Sequence, residues 1–201
     1  MKILLGVTGS VASTLTLKFV KMLLEEGHDV KMVYTEKAEY FFLPDRAALH
    51  VLSQTNLHFR LFHEYEEWCN DGVILDQYVK DQKVLHVELA IWADVIVIAP
   101  ATANTIAKIV NGIADNLLTS VVLARPQSVP LVVAPAMNTN MWYSKPTMHN
   151  IVALEEMFVT VVEPQRKKLA CGADGIGALA NLDIIIQEIY DAQQERLDKG
   201  W

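Results

Sequence analysis

The sequence predicts an α/β fold built on a parallel sheet, and three observations carry that reading. Val95-Ile96-Val97-Ile98-Ala99 is an unbroken apolar run rich in β-branched residues, the pattern of a strand covered on both faces. Leu131-Val132-Val133-Ala134 repeats the pattern. Each run ends in a loop of small and polar residues that leads into a helical signal, so ligand-binding loops are expected at the carboxyl edge of the sheet.

In order, Lys2-Ile3-Leu4-Leu5-Gly6-Val7 reads as the first strand. The turn Thr8-Gly9-Ser10-Val11-Ala12-Ser13 follows, then a helix to about Glu26 with Gly27 as its C-cap. Strand, small-residue turn and helix form an anion-binding arrangement, because the first N–H groups of a helix are unpaired and its dipole favours negative charge. The turn is neither a G-x-x-x-x-G-K-[ST] loop nor G-x-G-x-x-G. The second strand, Asp29 to Tyr34, ends at Thr35, with Glu36 only beyond it. A dinucleotide site would place an acidic residue near that strand end, so a mononucleotide phosphate fits better than NAD. A turn that merely closes a βα unit is the other reading of Gly9-Ser10.

Residues 37–56 read as helical, with Pro44 starting a second piece, and Leu57 to Phe62 as a short strand. Residues 63–83 are polar and acidic and read as a surface excursion. His86 lies on a short helical segment marked by Leu85, Leu89 and Trp92. Pro100 is expected to stop the Val95 strand. Ile106, Ile109, Val110, Ile113 and Leu117 then predict a single helical face. Pro126 and Pro130 bracket a loop before the Leu131 strand, Pro146 to Glu156 reads as a helix, and Phe158 to Val162 as the last long strand. Gly172, Gly175 and Gly177 make a mobile or sharply turned loop, and Asp183 caps a final helix from Ile184 to about Leu197.

Whole-chain properties narrow the function. The chain has 201 residues, enough for one domain with a full core. Hydrophobic residues make up 52% of it and the mean hydropathy is +0.21, values that suggest apolar surface buried between subunits. The net charge of -7 leaves no basic footprint for nucleic acid. Cys69 and Cys171 form no disulfide framework, which fits a reducing cytoplasm. Lys2 and the apolar run behind it are too short for a signal peptide, and no run approaches a membrane span. His50, His58 and His63 show no metal-ligand spacing, His28 reads as a cap or surface residue, and Cys69 as an incidental thiol.

Four motifs together carry a resemblance to a known family. They are Gly9-Ser10-Val11, Val84-Leu85-His86-Val87-Glu88-Leu89, Pro100-Ala101-Thr102-Ala103-Asn104-Thr105 and Pro135-Ala136-Met137-Asn138-Thr139-Asn140-Met141-Trp142. The chain resembles the flavin-containing cysteine decarboxylases. These comprise the phosphopantothenoylcysteine decarboxylases of coenzyme A synthesis and the enzymes acting on the C-terminal cysteine of lantibiotic precursor peptides. The likeness spans nearly the whole chain, residues 57–83 excepted, and is closest to the stand-alone coenzyme A branch. Where that branch has Asp after Cys-Gly, this chain has Ala173 followed by Asp174.

The resemblance implies a flavodoxin-like, Rossmann-like three-layer sandwich, a single domain with a flap at about 167–181, and trimers holding FMN between subunits. It implies that the substrate thiol is oxidised to a thioaldehyde, an electron sink from which the carboxylate leaves as carbon dioxide. The resulting enethiol is then released or reduced. Gly9, Ser10, Val11, Thr35, Thr102, Ala103, Asn104 and Thr105 are the candidate cofactor contacts. Ala136, Asn138 and Met141 are the candidate substrate contacts, and His86 and Cys171 the candidate proton-transfer groups. Read singly, without the surrounding motifs, His86 is better taken as a satisfied histidine at a helix start, Met137 and Met141 as core, and Trp142 as a packing anchor. Two further functions stand beside the leading one: decarboxylation of a peptide's C-terminal cysteine, and non-catalytic flavin binding in a regulatory protein. A prenyl-flavin synthase would not be expected to combine His86, Asn138 and Cys171.

Overall fold

The computed structural model describes residues 1–66, 84–168, 174–198 and 200. Six parallel strands form the central sheet: β1 (Lys2–Val7), β2 (Asp29–Tyr34), β3 (Phe59–His63), β4 (Val95–Ala101), β5 (Leu131–Pro135) and β6 (Thr160–Val161). Their order is β3-β2-β1-β4-β5-β6, so the winding direction reverses between β1 and β4. That is the switch point at which open α/β sheets leave a crevice.

Alternate residues of each strand feed the two sides of the sheet. Ile3, Leu5 and Val7 of β1 and Val95 and Val97 of β4 pack under α1 (Thr16–Glu25), α2 (Glu36–Thr55) and the last helix, α8 (Leu182–Asp198). Leu4, Ile96, Ile98 and Val133 pack under α3 (Leu85–Trp92), α4 (Ala103–Val110), α5 (Leu117–Ala124) and α7 (Lys145–Glu156). A 3-10 turn, Val11–Leu15, joins β1 to α1, and a short helix α6, Thr139–Trp142, follows β5. Trp142 is buried in the second cluster, consistent with its role as a packing anchor. The result is a three-layer, flavodoxin-like sandwich.

Local chemistry sets the element ends. Gly27 leaves α1 at φ 80, in the left-handed region that glycine occupies without strain. The Thr35 hydroxyl accepts the Ala38 N–H and starts α2, which is interrupted at Phe42 just ahead of Pro44. Near the opposite edge, the buried His28 Nε2 lies 2.9 Å from the Tyr190 hydroxyl, which in turn donates to Glu26 at 2.6 Å. These contacts fasten α8 to the end of α1. Chiefly through that bond to Glu26, the Tyr190 hydroxyl is pushed up to about 12.

Five elements differ from the sequence expectation. Pro100 does not stop its strand: β4 runs to Ala101, with one extra residue on β4 between the Ile98–Val133 and Ala101–Pro135 pairs. A bulge is where a strand tolerates proline, since no ladder N–H is required of it. The stripe from Ile106 to Leu117 is two helices, because Gly112 turns the chain at φ 66 and Asn116 caps α5 in a capping box with Thr119. The last sheet strand is only Thr160–Val161, because α7 ends in a Schellman turn that reaches Val159: Val159 N–H donates to Leu154 and Phe158 N–H to Glu155. Beyond it, the glycine-rich stretch includes an antiparallel hairpin, β7 (Gln165–Lys168) with β8 (Asp174–Ala178), where a loop was expected. Asp183 lies within the first turn of α8 rather than ahead of it. Cys69, Cys171 and most of the 63–83 excursion lie outside the described residues. No helix among the described residues is long and apolar enough to cross a membrane.

Candidate functional site

The loops that leave β1, β4 and β5 meet at the carboxyl edge beside the switch point. Hydrogen bonds stitch them together. The Thr8 hydroxyl donates to the Pro100 carbonyl at 2.7 Å and accepts the Thr102 N–H at 2.9 Å. The Ser10 hydroxyl donates to the Ala136 carbonyl at 3.3 Å, and Ala136 N–H donates to Ala101 at 3.0 Å. The bonds link the segments after β1 and β5 to each other and to the end of β4, so the floor of the site is a single network of backbone and hydroxyl groups.

A cavity of about 690 Å³ opens over this floor. Gly9, Ser10, Val11, Leu15 and Phe41 line it together with Ala136, Asn138 and Met141, and Thr102 is also in the wall. Its size is that of a small-molecule or cofactor site. The walls are mainly apolar, which suits a flat ring system. The Gly9 and Val11 N–H groups make no hydrogen bond among the described residues and remain available to a phosphate. Gly9 is required by packing as well: a Cβ there would come within 2.5 Å of the Lys37 Cβ at the start of α2. The donor set therefore fits a mononucleotide flavin.

The β7–β8 hairpin supplies a further wall through Lys167, Gly177, Ala178 and Leu179. It is seated on the loop after β5. Met137 N–H donates to the Gly177 carbonyl at 2.9 Å, and a Cβ at Gly177, whose φ is 140, would overlap the Met137 carbonyl oxygen. A Cβ at Gly175 would likewise overlap the Thr139 hydroxyl, which is buried without a hydrogen-bond partner. The Asn138 side-chain oxygen accepts the Asn140 N–H at 2.8 Å, which caps α6 and orients the amide.

The remaining candidates fall elsewhere. Ala103, Asn104 and Thr105 form the first turn of α4 behind Thr102, whose hydroxyl caps that helix at the Thr105 N–H. Thr35 is buried at the start of α2 and is not part of the cavity wall. His86 is not part of the wall either. It sits in the first turn of α3, in the layer that also holds α4, α5 and α7, and a helix leading into a parallel strand starts at the carboxyl edge. Cys171 lies outside the described residues. Phe41, Leu15 and Lys167 were not singled out from sequence. Phe41 reads there as an ordinary position on α2, and only the packing of α2 against the 3-10 turn brings it to the site.

The chain is similar to known proteins along most of its length. A probable phosphopantothenoylcysteine decarboxylase of Arabidopsis thaliana is 40% identical over 190 residues, covering 94% of this chain and 86% of the relative. The corresponding Streptococcus mutans protein is 38% identical, covering 94% of this chain and 97% of its own. Among solved structures, a PPC decarboxylase carrying a cysteine-to-serine change, complexed with pantothenoylaminoethenethiol, superposes with a TM-score of 0.81 at 35% identity. It covers 94% of this chain and 96% of that one. The Flavoprotein family model matches residues 1–194, and the chain belongs to that family.

Proposed function

We propose that this chain is an FMN-dependent carboxy-lyase that converts phosphopantothenoylcysteine to phosphopantetheine in coenzyme A synthesis. The observation that carries the reading is one cavity lined by both the Gly9-Ser10 turn and the Asn138–Met141 loop. The similarity to phosphopantothenoylcysteine decarboxylases along almost the whole chain supports the choice of substrate.

When bound, FMN supplies two-electron chemistry at the substrate's sulfur. The protein binds, orients and moves protons. Gly9, Ser10 and Val11 hold the cofactor phosphate at the start of the 3-10 turn, and Thr102 adds a hydroxyl from the β4 loop. Val11, Leu15, Phe41 and Leu179 keep water from the ring. Asn138, its oxygen already held by Asn140, offers its amide nitrogen to the substrate carboxylate. Ala136 leaves room for the cysteine moiety and Met141 packs against it. His86 and Cys171 exchange protons with the substrate, His86 early and Cys171 at the final saturation step.

The working assembly in this reading is a homotrimer, or a multiple of trimers, with the cavity completed between subunits. Its support is the position of His86 outside its own chain's cavity, next to the exposed apolar residues Val84, Val87 and Ile91. Two cysteines without a disulfide framework fit the cytoplasm.

The test is the product formed from phosphopantothenoylcysteine, read by mass spectrometry with the flavin spectrum. Wild-type protein is expected to give the saturated amine-thiol and to end with oxidised flavin. Cys171→Ser is expected to release carbon dioxide once and stop two hydrogens short. An unsaturated product from wild-type protein would transfer the assignment to the peptide-cysteine decarboxylases. No carbon dioxide from either substrate would refute the enzyme reading.

A further inference from the structure

The cavity is uncharged except at one place. Its walls are glycine, alanine, hydroxyl, amide and hydrocarbon groups, and Lys167 is the only charged residue among the described residues that line it. The Lys167 side chain makes no ion pair and no hydrogen bond among the described residues, in a chain whose net charge is -7. A lysine that only balanced surface charge would have carboxylates to meet. This one instead borders a cavity with no carboxylate among the described residues that line it.

Its position along the cavity is also set. Lys167 pairs with Gly175 across the hairpin, and Gly175 rests against Thr139, next to Asn138. The hairpin thus carries Lys167 beside the Asn138–Met141 loop, on a different element from the Gly9-Ser10 turn whose free N–H groups fit a cofactor phosphate. An ammonium on a flexible four-carbon stem is a compact point charge suited to a phosphate or carboxylate.

We infer that Lys167 receives an oxyanion of the substrate and sets the enzyme's preference for an anionic ligand. The inference rests on the decarboxylase reading above. Two groups of such a substrate carry the required charge, its phosphate and its cysteine carboxylate, and they can be separated experimentally.

The experiment uses the flavin-loaded enzyme with Lys167→Gln and Lys167→Arg. Steady-state carbon dioxide release is measured with phosphorylated and dephosphorylated pantothenoylcysteine, along with flavin content and the dependence of KM on ionic strength. Losing a charged hydrogen bond predicts that Lys167→Gln keeps its flavin and most of kcat, while KM rises about 10- to 100-fold and loses its salt dependence. Lys167→Arg should recover most of the affinity. A rise confined to the phosphorylated substrate assigns Lys167 to the phosphate, and a rise with both assigns it to the carboxylate. An unchanged KM, or loss of flavin in place of a KM effect, overturns the inference. If wild-type protein releases no carbon dioxide, the decarboxylase reading fails first and takes this inference with it. Normal wild-type turnover with an unaffected Lys167→Gln removes this inference alone.

Discussion

Replacing Gly177 with alanine tests whether the hairpin must be seated for turnover. The added Cβ meets the Met137 carbonyl oxygen, which is backbone and cannot swing aside, and it imposes φ 140 on a residue with a side chain. Holding a non-glycine residue in so sparsely populated a region costs about 1–3 kcal/mol. If the hairpin lifts to relieve the overlap, the strain is exchanged for the 2.9 Å bond from Met137 N–H to Gly177 and the contacts around it. The strain of the seated form is therefore the upper limit of the loss, roughly 1–3 kcal/mol of docking energy, an approximately 5- to 150-fold fall in the seating equilibrium at about 1.4 kcal/mol per tenfold. The expected result is a protein that keeps its flavin, loses decarboxylation by a comparable factor, and is cut by protease within residues 165–178. The flavin is retained because the Thr8, Ser10 and Ala136 bonds do not involve the hairpin. Wild-type turnover and wild-type protease resistance in Gly177→Ala would refute the argument.

Three further outcomes are expected. His86→Asn should retain flavin and lose roughly 10²- to 10⁴-fold in decarboxylation rate, the usual contribution of a general acid–base group; a near-normal rate would return His86 to a structural role. Phe158 holds the glycine position of the α7 Schellman turn at φ 59 while 90% exposed, so Phe158→Gly relieves strain and gives up little burial. Set against the greater chain entropy of glycine, the net gain is about 0.5–1 kcal/mol, seen as a melting temperature higher by roughly 1–4 °C, and a lower value would contradict it. Burial lowers the pKa of His28, with the N-terminal charge adding to the effect and Glu26 opposing it. The unfolded chain therefore takes up this proton first, so the contribution is complete above about pH 6.5 and is lost as the pH falls toward the folded value. Urea midpoints at pH 7.5 and 5.5 should differ more for wild type than for His28→Gln; equal differences would remove His28 from the account.

Much of this was legible in the sequence, because the buried strands are written as apolar runs and the loops behind them carry recognisable chemistry. Asp29–Tyr34 begins and ends where its pattern does, between a left-handed glycine and a threonine cap. Legibility failed where a local rule met tertiary packing. A helical stripe cannot distinguish one helix from two when Ile113 and Leu117 continue the spacing by coincidence; the stop signals were Gly112 and Asn116. Glycine has no side chain with which to display a period of two, so the pairing of β8 with β7 was invisible. For His86, the motif indicated a chemical type, but no linear pattern could reveal that it stands outside the wall of the cavity its own chain builds.

That separation has a genetic consequence. If each site takes its cavity from one subunit and His86 from the next, a defect in either part is not confined to the chain that carries it. A chain lacking His86 still offers an intact cavity, and a chain whose cavity is spoiled at Asn138 still offers its histidine. Mixed during assembly in equal amounts, the two inactive proteins should recover activity in about one site in four by random assortment around a cyclic oligomer. Either variant expressed alone should recover none. The same arithmetic makes a His86 defect partly dominant over a normal copy, since a defective chain would disable cavities belonging to sound ones.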